Sequence, residues 1–312
     1  MQEHDSAAAP FSLFVSFVCP HPPYIAPAEF YDLYPEASMP VPKLSAADAP
    51  THPWIQAMQR NRNYNDFVTD ESRRVIASSY HGCISYLDYN VGRVLDALDD
   101  AGLRESTLVI FTSDHGDNLG ARRLYGKSNM YQEAAHIPMI VAGPEVPEGR
   151  VSETPVTLLD IASTVLDAAD MNEGRDADAL PGTSLIELSQ GADDDQRVAF
   201  CEYYAAAADR AAFMVRRGCY KYIHYVGYEP ELFDLNADPE ELDNLAVPSG
   251  FASVVKEHEA ILRAIVDPEM ADDVAFHAQT ALVDANGGRE ALIARGKYDG
   301  TPAPGQAAVF DR

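Results

Sequence analysis

Residues 112–133 read TSDHGDNLGARRLYGKSNMYQE, and an apolar, β-branched run at residues 108–111 (LVIF) leads into them. The run has the length and composition of a buried strand. It stops abruptly at Asp114-His115-Gly116-Asp117, and Lys127 follows in a segment otherwise poor in lysine. A strand ending in a carboxylate, an imidazole and a glycine builds a functional site at the carboxyl edge of an α/β sheet. Carboxylate oxygen and imidazole nitrogen suit a hard or borderline divalent cation, and a lysine nearby can face an anion held there. Read in isolation, Asp-His-Gly is equally a turn whose aspartate accepts local backbone hydrogen bonds.

The rest of the chain supplies the elements of such a sheet. Residues 11–18 (FSLFVSFV) form a continuous apolar run expected to be a buried strand. Residues 20–53, rich in proline and aromatics, are expected to be irregular, with at most a short helix near 29–34. From Asp70, apolar residues recur at helical spacing (Val75, Ile76, Tyr80, Cys83, Ile84, Leu87, Val91, Val94, Leu95, Leu98). That predicts a long amphipathic helix ending near Gly102. Strands are expected at 107–112 and 137–142, and a helix at 158–169. Alternating strands and helices imply a mostly parallel sheet with helices on its faces.

Composition shifts at the Asp-rich residues 191–196, which read as a linker. The expected division is therefore residues 1–192, an α/β domain, and residues 193–312, a smaller subdomain with a tail. Short strands are expected at 198–204, 212–216 and 221–225, with Gly218 at a hairpin-like position between the last two. A helix is expected at 251–265, and weaker helical segments in a loosely ordered tail after Asp267.

Five segments in order resemble the sulfatases of the alkaline phosphatase superfamily. They are residues 11–24 (FSLFVSFVCPHPPY), residues 80–103 (YHGCISYLDYNVGRVLDALDDAGL), SDHGD with the later Lys127, and residues 137–143 (IPMIVAG) followed by Leu159-Asp160-Ile161 and by residues 181–185 (PGTSL). The fifth is residues 220–245 (YKYIHYVGYEPELFDLNADPEELDNL). The branch resembled is that of choline sulfatases and phosphonate monoester hydrolases. The resemblance implies an alkaline-phosphatase-like α/β sheet, here its C-terminal part, and a small α+β subdomain with an antiparallel sheet.

The resemblance also implies roles. Asp114 and His115 match metal ligands for calcium, magnesium or manganese. Lys127 matches the lysine that contacts the sulfuryl oxygens; taken alone it is also an ordinary surface lysine. His21 matches the histidine near the leaving-group oxygen, where it can donate a proton; taken alone it is also a rigid loop histidine between prolines. The family's nucleophile is a formylglycine made from the cysteine of a Cys-x-Pro-x-Arg motif. None of Cys19, Cys83, Cys201 or Cys219 sits in that motif, so the chain resembles the C-terminal part of a sulfatase with little activity alone. The alternatives are a phosphonate or phosphate monoester hydrolase, or a non-catalytic remnant. His52 is a further candidate for lining the pocket. Asp117 and Glu133 are read as solvated or structural.

Composition excludes other classes. The formal charge of −26 opposes binding to nucleic-acid phosphates or an anionic membrane. Its cause is read either as a salt-rich cytoplasm or as a GC-rich genome favouring Ala, Asp and Arg. No apolar run reaches bilayer-spanning length. Residues 1–10 (MQEHDSAAAP) lack a basic start and an apolar core, so a cytoplasmic location is expected. The expected partner is a small sulfate or phosphonate ester, and the tail after Asp267 is a candidate homo-oligomer contact.

Overall fold

The structure, a computed structural model, describes residues 10–49, 51–61, 64–171, 181–247, 249–298 and 310–311. The chain divides into two compact units, Met1–Glu259 and Ala260–Arg312.

In the first unit, a short helix α1 (Ala28–Tyr31) and α2 (Pro53–Asn61) precede the long α3 (Asp70–Asp100). Thr69 opens α3 as a capping box with Ser72. Gly102 follows its end at φ +66°, a conformation glycine adopts without strain. The buried positions of α3 include Ala77, Ser78, Ser79, Gly82 and Cys83. The larger apolar residues expected inward, Val75 and Ile84, are 38% and 41% exposed. The preceding loop packs instead against the small residues of α3. A Cβ on Gly82 would stand 2.9 Å from Ala26 Cβ and 3.1 Å from the Phe30 carbonyl, and Ser79 Oγ donates to the Tyr24 carbonyl at 2.6 Å.

After α3 come β1 (Val109–Thr112), the short α4 (Gln132–Ala135) and β2 (Met139–Ala142). β1 and β2 pair antiparallel, Val109 opposite Ala142 and Thr112 opposite Met139. Among the described residues no parallel pair is formed, and the expected strand at 11–18 joins no ladder. Its side chains are instead open: Phe14 is 90% and Val18 79% exposed. A strand is held by backbone bonds to a neighbour, and among the described residues β1 pairs with β2 alone. Residues 11–18 are therefore apolar and exposed, outside any ladder.

Then α5 (Leu159–Ala168) and α6 (Leu185–Gln190) lead to a four-stranded meander: β3 (Val198–Tyr203), β4 (Ala212–Arg217), β5 (Tyr220–Tyr225) and β6 (Glu231–Asp234). All three ladders are antiparallel. Gly218, at φ +56°, turns β4 into β5. The core sits on this sheet, where Trp54, Ile55 and Met58 of α2 and Met130 and Tyr131 pack with Ala212, Ile223, Tyr225 and Phe233. α2 begins where the segment expected to be irregular, residues 20–53, ends, in a stretch for which no element was expected. Its apolar residues form one face of a helix too short for periodicity to announce.

α7 (Ala252–Ile265) begins in the first unit. The second unit contains α8 (Pro268–Ala285), α9 (Gly288–Arg295) and a two-residue ladder of β7 (Lys297–Tyr298) with β8 (Phe310–Asp311). Asp267 caps α8 by accepting from the Met270 amide at 3.0 Å, with Pro268 at the first helical position. No helix among the described residues is long and apolar enough to cross a membrane.

Candidate active site at the end of β1

The turn after β1 is fixed by its own short polar residues. Thr112 Oγ1 donates to the Pro138 carbonyl at 2.8 Å, and Ser113 Oγ to the His115 carbonyl at 2.8 Å. Asp114 Oδ1 accepts from the His115 amide at 3.1 Å, leaving the rest of its side chain 82% exposed. Gly116 is required sterically. Its amide donates to the Ala134 carbonyl at 2.9 Å, and a Cβ there would lie 2.0 Å from the Glu133 carbonyl oxygen.

His115 Nδ1 lies 2.8 Å from the Gly116 carbonyl, which makes Nδ1 the protonated nitrogen and Nε2 the acceptor. Nε2 meets Lys127 Nζ at 2.5 Å and lies 3.5 Å from Asp114 Oδ2. His21 reaches the same place from another loop, its ring centroid 6.5 Å from that of His115. His21 is exposed, its amide donates to the Val18 carbonyl at 2.8 Å, and its Nδ1 lies 2.6 Å from the Pro22 carbonyl. The Cys19–Pro20 and Pro22–Pro23 bonds on either side of it are cis. Asp114, His115, Lys127 and His21, four residues spread over two segments of sequence, thus occur together.

The loop between Gly116 and Lys127 is held from beneath by buried charge. Arg122, 4% exposed and left-handed at φ +50°, lies with its guanidinium carbon 3.7 Å from the centroid of the Tyr131 ring. It donates to the Glu241 carbonyl at 2.6 Å and pairs with Glu133 at 3.4 Å. Glu133 also pairs with Lys43 at 2.6 Å. Lys221 Nζ of β5 meets Glu241 Oε1 at 2.7 Å and Gln132 Oε1 at 3.0 Å, and Glu241 Oε2 accepts from the Gln132 amide at 2.8 Å. Burial pulls the Lys221 pKa down, against the opposing pull of Glu241. The four-stranded sheet is therefore wired to the loop carrying Lys127.

Glu133 and Asp117, read from the sequence as solvated or structural, both make side-chain contacts: Glu133 pairs with Lys43 and Arg122, and Asp117 accepts from the Leu119 and Gly126 amides. His52, half-buried, spends both ring nitrogens on backbone groups at the edge of the sheet: Nε2 lies 2.9 Å from the Glu229 carbonyl, Nδ1 accepts from the Trp54 amide at 3.2 Å, and the ring stacks on Tyr225 at 4.3 Å. The buried Lys221–Glu241 pair was invisible in the sequence because each residue alone reads as an ordinary surface charge.

Asp114 and His115 offer two donors to a divalent cation. Hard cations take six or more oxygen or nitrogen ligands, and among the described residues no cluster of three or more His, Cys, Asp and Glu forms a cage. The pair is part of a coordination sphere at most, and Lys127 already occupies the lone pair of Nε2. What the group offers an anion directly is the Lys127 ammonium, with the exposed His21 ring close by, its centroid 6.5 Å from that of His115.

The chain matches the family model "Sulfatase" over residues 2–171 and the model "N-sulphoglucosamine sulphohydrolase, C-terminal" over residues 120–267. It is 36% identical to a choline-sulfatase of Rhizobium meliloti (strain 1021), covering 78% of this chain and 48% of that protein. It is 31% identical to arylsulfatase K of Danio rerio, covering 84% and 53%. The crystal structure of a phosphonate monoester hydrolase of Agrobacterium radiobacter superposes with a TM-score of 0.69 at 25% identity, covering 84% of this chain and 57% of that one. The chain spans about half the length of the curated relatives it matches. Two family models in sequence order, relatives along most of the chain and a common alkaline-phosphatase-like α/β fold agree: the chain belongs to the sulfatase family.

Proposed function

We propose that this chain carries the leaving-group and oxyanion side of a sulfuric ester hydrolase. The observation that supports it is the convergence of His21, His115 and Lys127, with Lys127 Nζ 2.5 Å from His115 Nε2 and the two imidazoles 6.5 Å apart. In this reading Lys127 binds the non-bridging oxygens of the ester, where its charge offsets charge developing in the transition state. His21, exposed and adjacent, donates a proton to the departing alcohol oxygen. Asp114 and, once Lys127 turns from His115 Nε2 to the ester oxygens, His115 contribute two ligands to a divalent cation (calcium, magnesium or manganese). Such an ion, when bound, polarises the sulfuryl group.

The attacking side lies elsewhere. A formylglycine needs a Cys-x-Pro-x-Arg segment, and none of the four cysteines of this sequence is in one. Cys83 is buried, and burial raises the thiol pKa of Cys19 to about 12 and raises that of Cys201 as well. Thiols held protonated in this way are poor nucleophiles. The chain alone is therefore expected to turn over sulfate esters slowly or not at all. The uncovered residues 11–18 beside this site fit the same reading, since they leave apolar surface for further polypeptide to cover.

A second reading, phosphonate or phosphate monoester hydrolysis, draws on the likeness to the phosphonate monoester hydrolase structure. One experiment tests both: hydrolysis of the sulfate, phenylphosphonate and phosphate esters of 4-nitrophenol by the purified chain, with and without each cation. Robust sulfate turnover by the chain alone overturns the half-site reading. Phosphonate turnover above sulfate favours the second. A folded chain without turnover or sulfate binding identifies a non-catalytic remnant.

A further inference from the structure

The sulfatase reading assigns no role to Asp117, yet this carboxylate touches both loops of the site. Oδ1 accepts from the Leu119 amide at 2.9 Å and from the Gly126 amide at 2.9 Å. Oδ2 accepts from the Tyr24 hydroxyl at 2.6 Å. Gly126 immediately precedes Lys127, and Tyr24 lies three residues after His21. We propose that Asp117 is the positioning residue that sets the spacing between Lys127 and His21, and so the size of the oxyanion the pair accepts. The functional part of this inference rests on the oxyanion reading above; the mechanical part does not.

Each arm of the bridge is anchored. On one side, Asn118 closes the loop by donating its amide and its Nδ2 to the Gly126 carbonyl, at 2.8 and 2.6 Å. Lys127 therefore leaves a ring whose two ends both bond to Asp117 or its neighbour. On the other side, the Tyr24 carbonyl accepts from Ser79 Oγ of α3 at 2.6 Å, and the Tyr24 ring meets Tyr80 edge-on at 5.8 Å. Burial, and then the Asp117 charge, push the Tyr24 phenol far above its ordinary pKa, so it remains a donor. A carboxylate accepting several hydrogen bonds is a strong fixed point.

A turn-stabilising aspartate accepts from amides two residues ahead and ends its influence there. The bridge predicts more: cutting the Tyr24 bond loosens the His21 loop without disturbing the Lys127 loop, and removing the carboxylate loosens both. The test is amide hydrogen exchange on the full chain for Asp117→Ala, Asp117→Asn and Tyr24→Phe, with calorimetric titration of inorganic sulfate.

In Asp117→Ala, exchange at Leu119 and Gly126 and at His21 and Ile25 is expected to rise about tenfold or more, a loss of about 1.4 kcal/mol of local protection. Sulfate affinity should fall by a similar factor. Tyr24→Phe should free only His21 and Ile25, and also weaken sulfate binding. Asp117→Asn, which keeps an acceptor for the two amides, should restore all readouts to within about threefold. Unchanged exchange at His21 and Ile25 in both Asp117→Ala and Tyr24→Phe overturns the bridge. If Asp117→Ala fails to fold, Tyr24→Phe decides alone. If the unsubstituted chain does not bind sulfate, the oxyanion reading fails, and the exchange pattern still accepts or rejects the bridge.

Discussion

The sheet β3–β6 and the ladder β1–β2 differ in what covers them. In the first, Ala212, Phe213, Val215, Tyr222, Ile223, Tyr225 and Leu232 are at most 1% exposed. Its buried charges are also answered: Lys221 by Glu241, and Glu231 by the hydroxyls of Tyr131 and Tyr225 at 2.9 and 2.8 Å. In the second, every β1 residue is only half-buried, Ile140 of β2 is 59% exposed, and residues 11–18 stand open beside no ladder. The first region is sealed by residues this chain supplies. The second carries core-like composition without a core-like environment. Stability should therefore reside in β3–β6, while the candidate site sits on the region that is least sealed.

The largest effect that would break this contrast is at Lys221. Lys221→Ala leaves Glu241 buried without its counter-charge. The expected cost is about 3–5 kcal/mol, read from the urea midpoint at constant slope. A cost under about 1 kcal/mol would mean that water reaches the pair and the sheet is not sealed.

Gly116→Ala comes next. Its Cβ would overlap the Glu133 carbonyl, so the backbone between the two regions must shift, at about 1–3 kcal/mol. Sulfate binding should be lost with it. Retained binding would show that the turn after β1 tolerates movement.

A smaller effect concerns pH. His258 of α7 is 1% exposed and meets Tyr220 of β5 at 6.0 Å, and burial lowers its pKa below 6.5. The unfolded chain then binds the proton first as pH falls. Stability is full above about pH 6.5 and declines as pH drops from there to the lowered folded value. His258→Leu should flatten the stability curve over that window, and an unchanged slope would assign the pH dependence elsewhere.

The smallest effect sharpens the contrast from the open side. Phe14→Ser should change stability by no more than about 0.5 kcal/mol, the ordinary range of a surface change. A covered phenylalanine would cost about 3–5 kcal/mol on truncation. A loss of that size would show that the 11–18 segment is buried in solution.

Periodicity and turn chemistry made most elements legible: α3, β1, β2, α5, β3–β5 and α7 fall within a few residues of their expected places. α2 and β6 were not expected: α2 is a short apolar run just past the proline-rich 20–53 stretch, and β6 is one set among proline and acid. The 11–18 segment misled because an apolar run specifies a wish for burial and cannot specify who provides it. Asp114, His115, Lys127 and His21 were singled out from spacing and resemblance, and they occur together. Asp117 was passed over because a second carboxylate in a turn is commonplace. Its reach to Tyr24, across ninety-three positions, belongs to tertiary structure. The Lys221–Glu241 pair escaped for the same reason, being twenty positions apart.

Lysine scarcity gives the sealed sheet a built-in reporter. The chain has five lysines, and Lys221 is 1% exposed. An acylating reagent needs a neutral, accessible amine, so Lys221 can react only during moments when β5 separates from the residues above it. With so few competing amines, the time course of Lys221 acylation under native conditions is a clock for those openings. Its rate, compared with that of the same amine in the denatured chain, converts directly into the free energy of opening that part of the molecule.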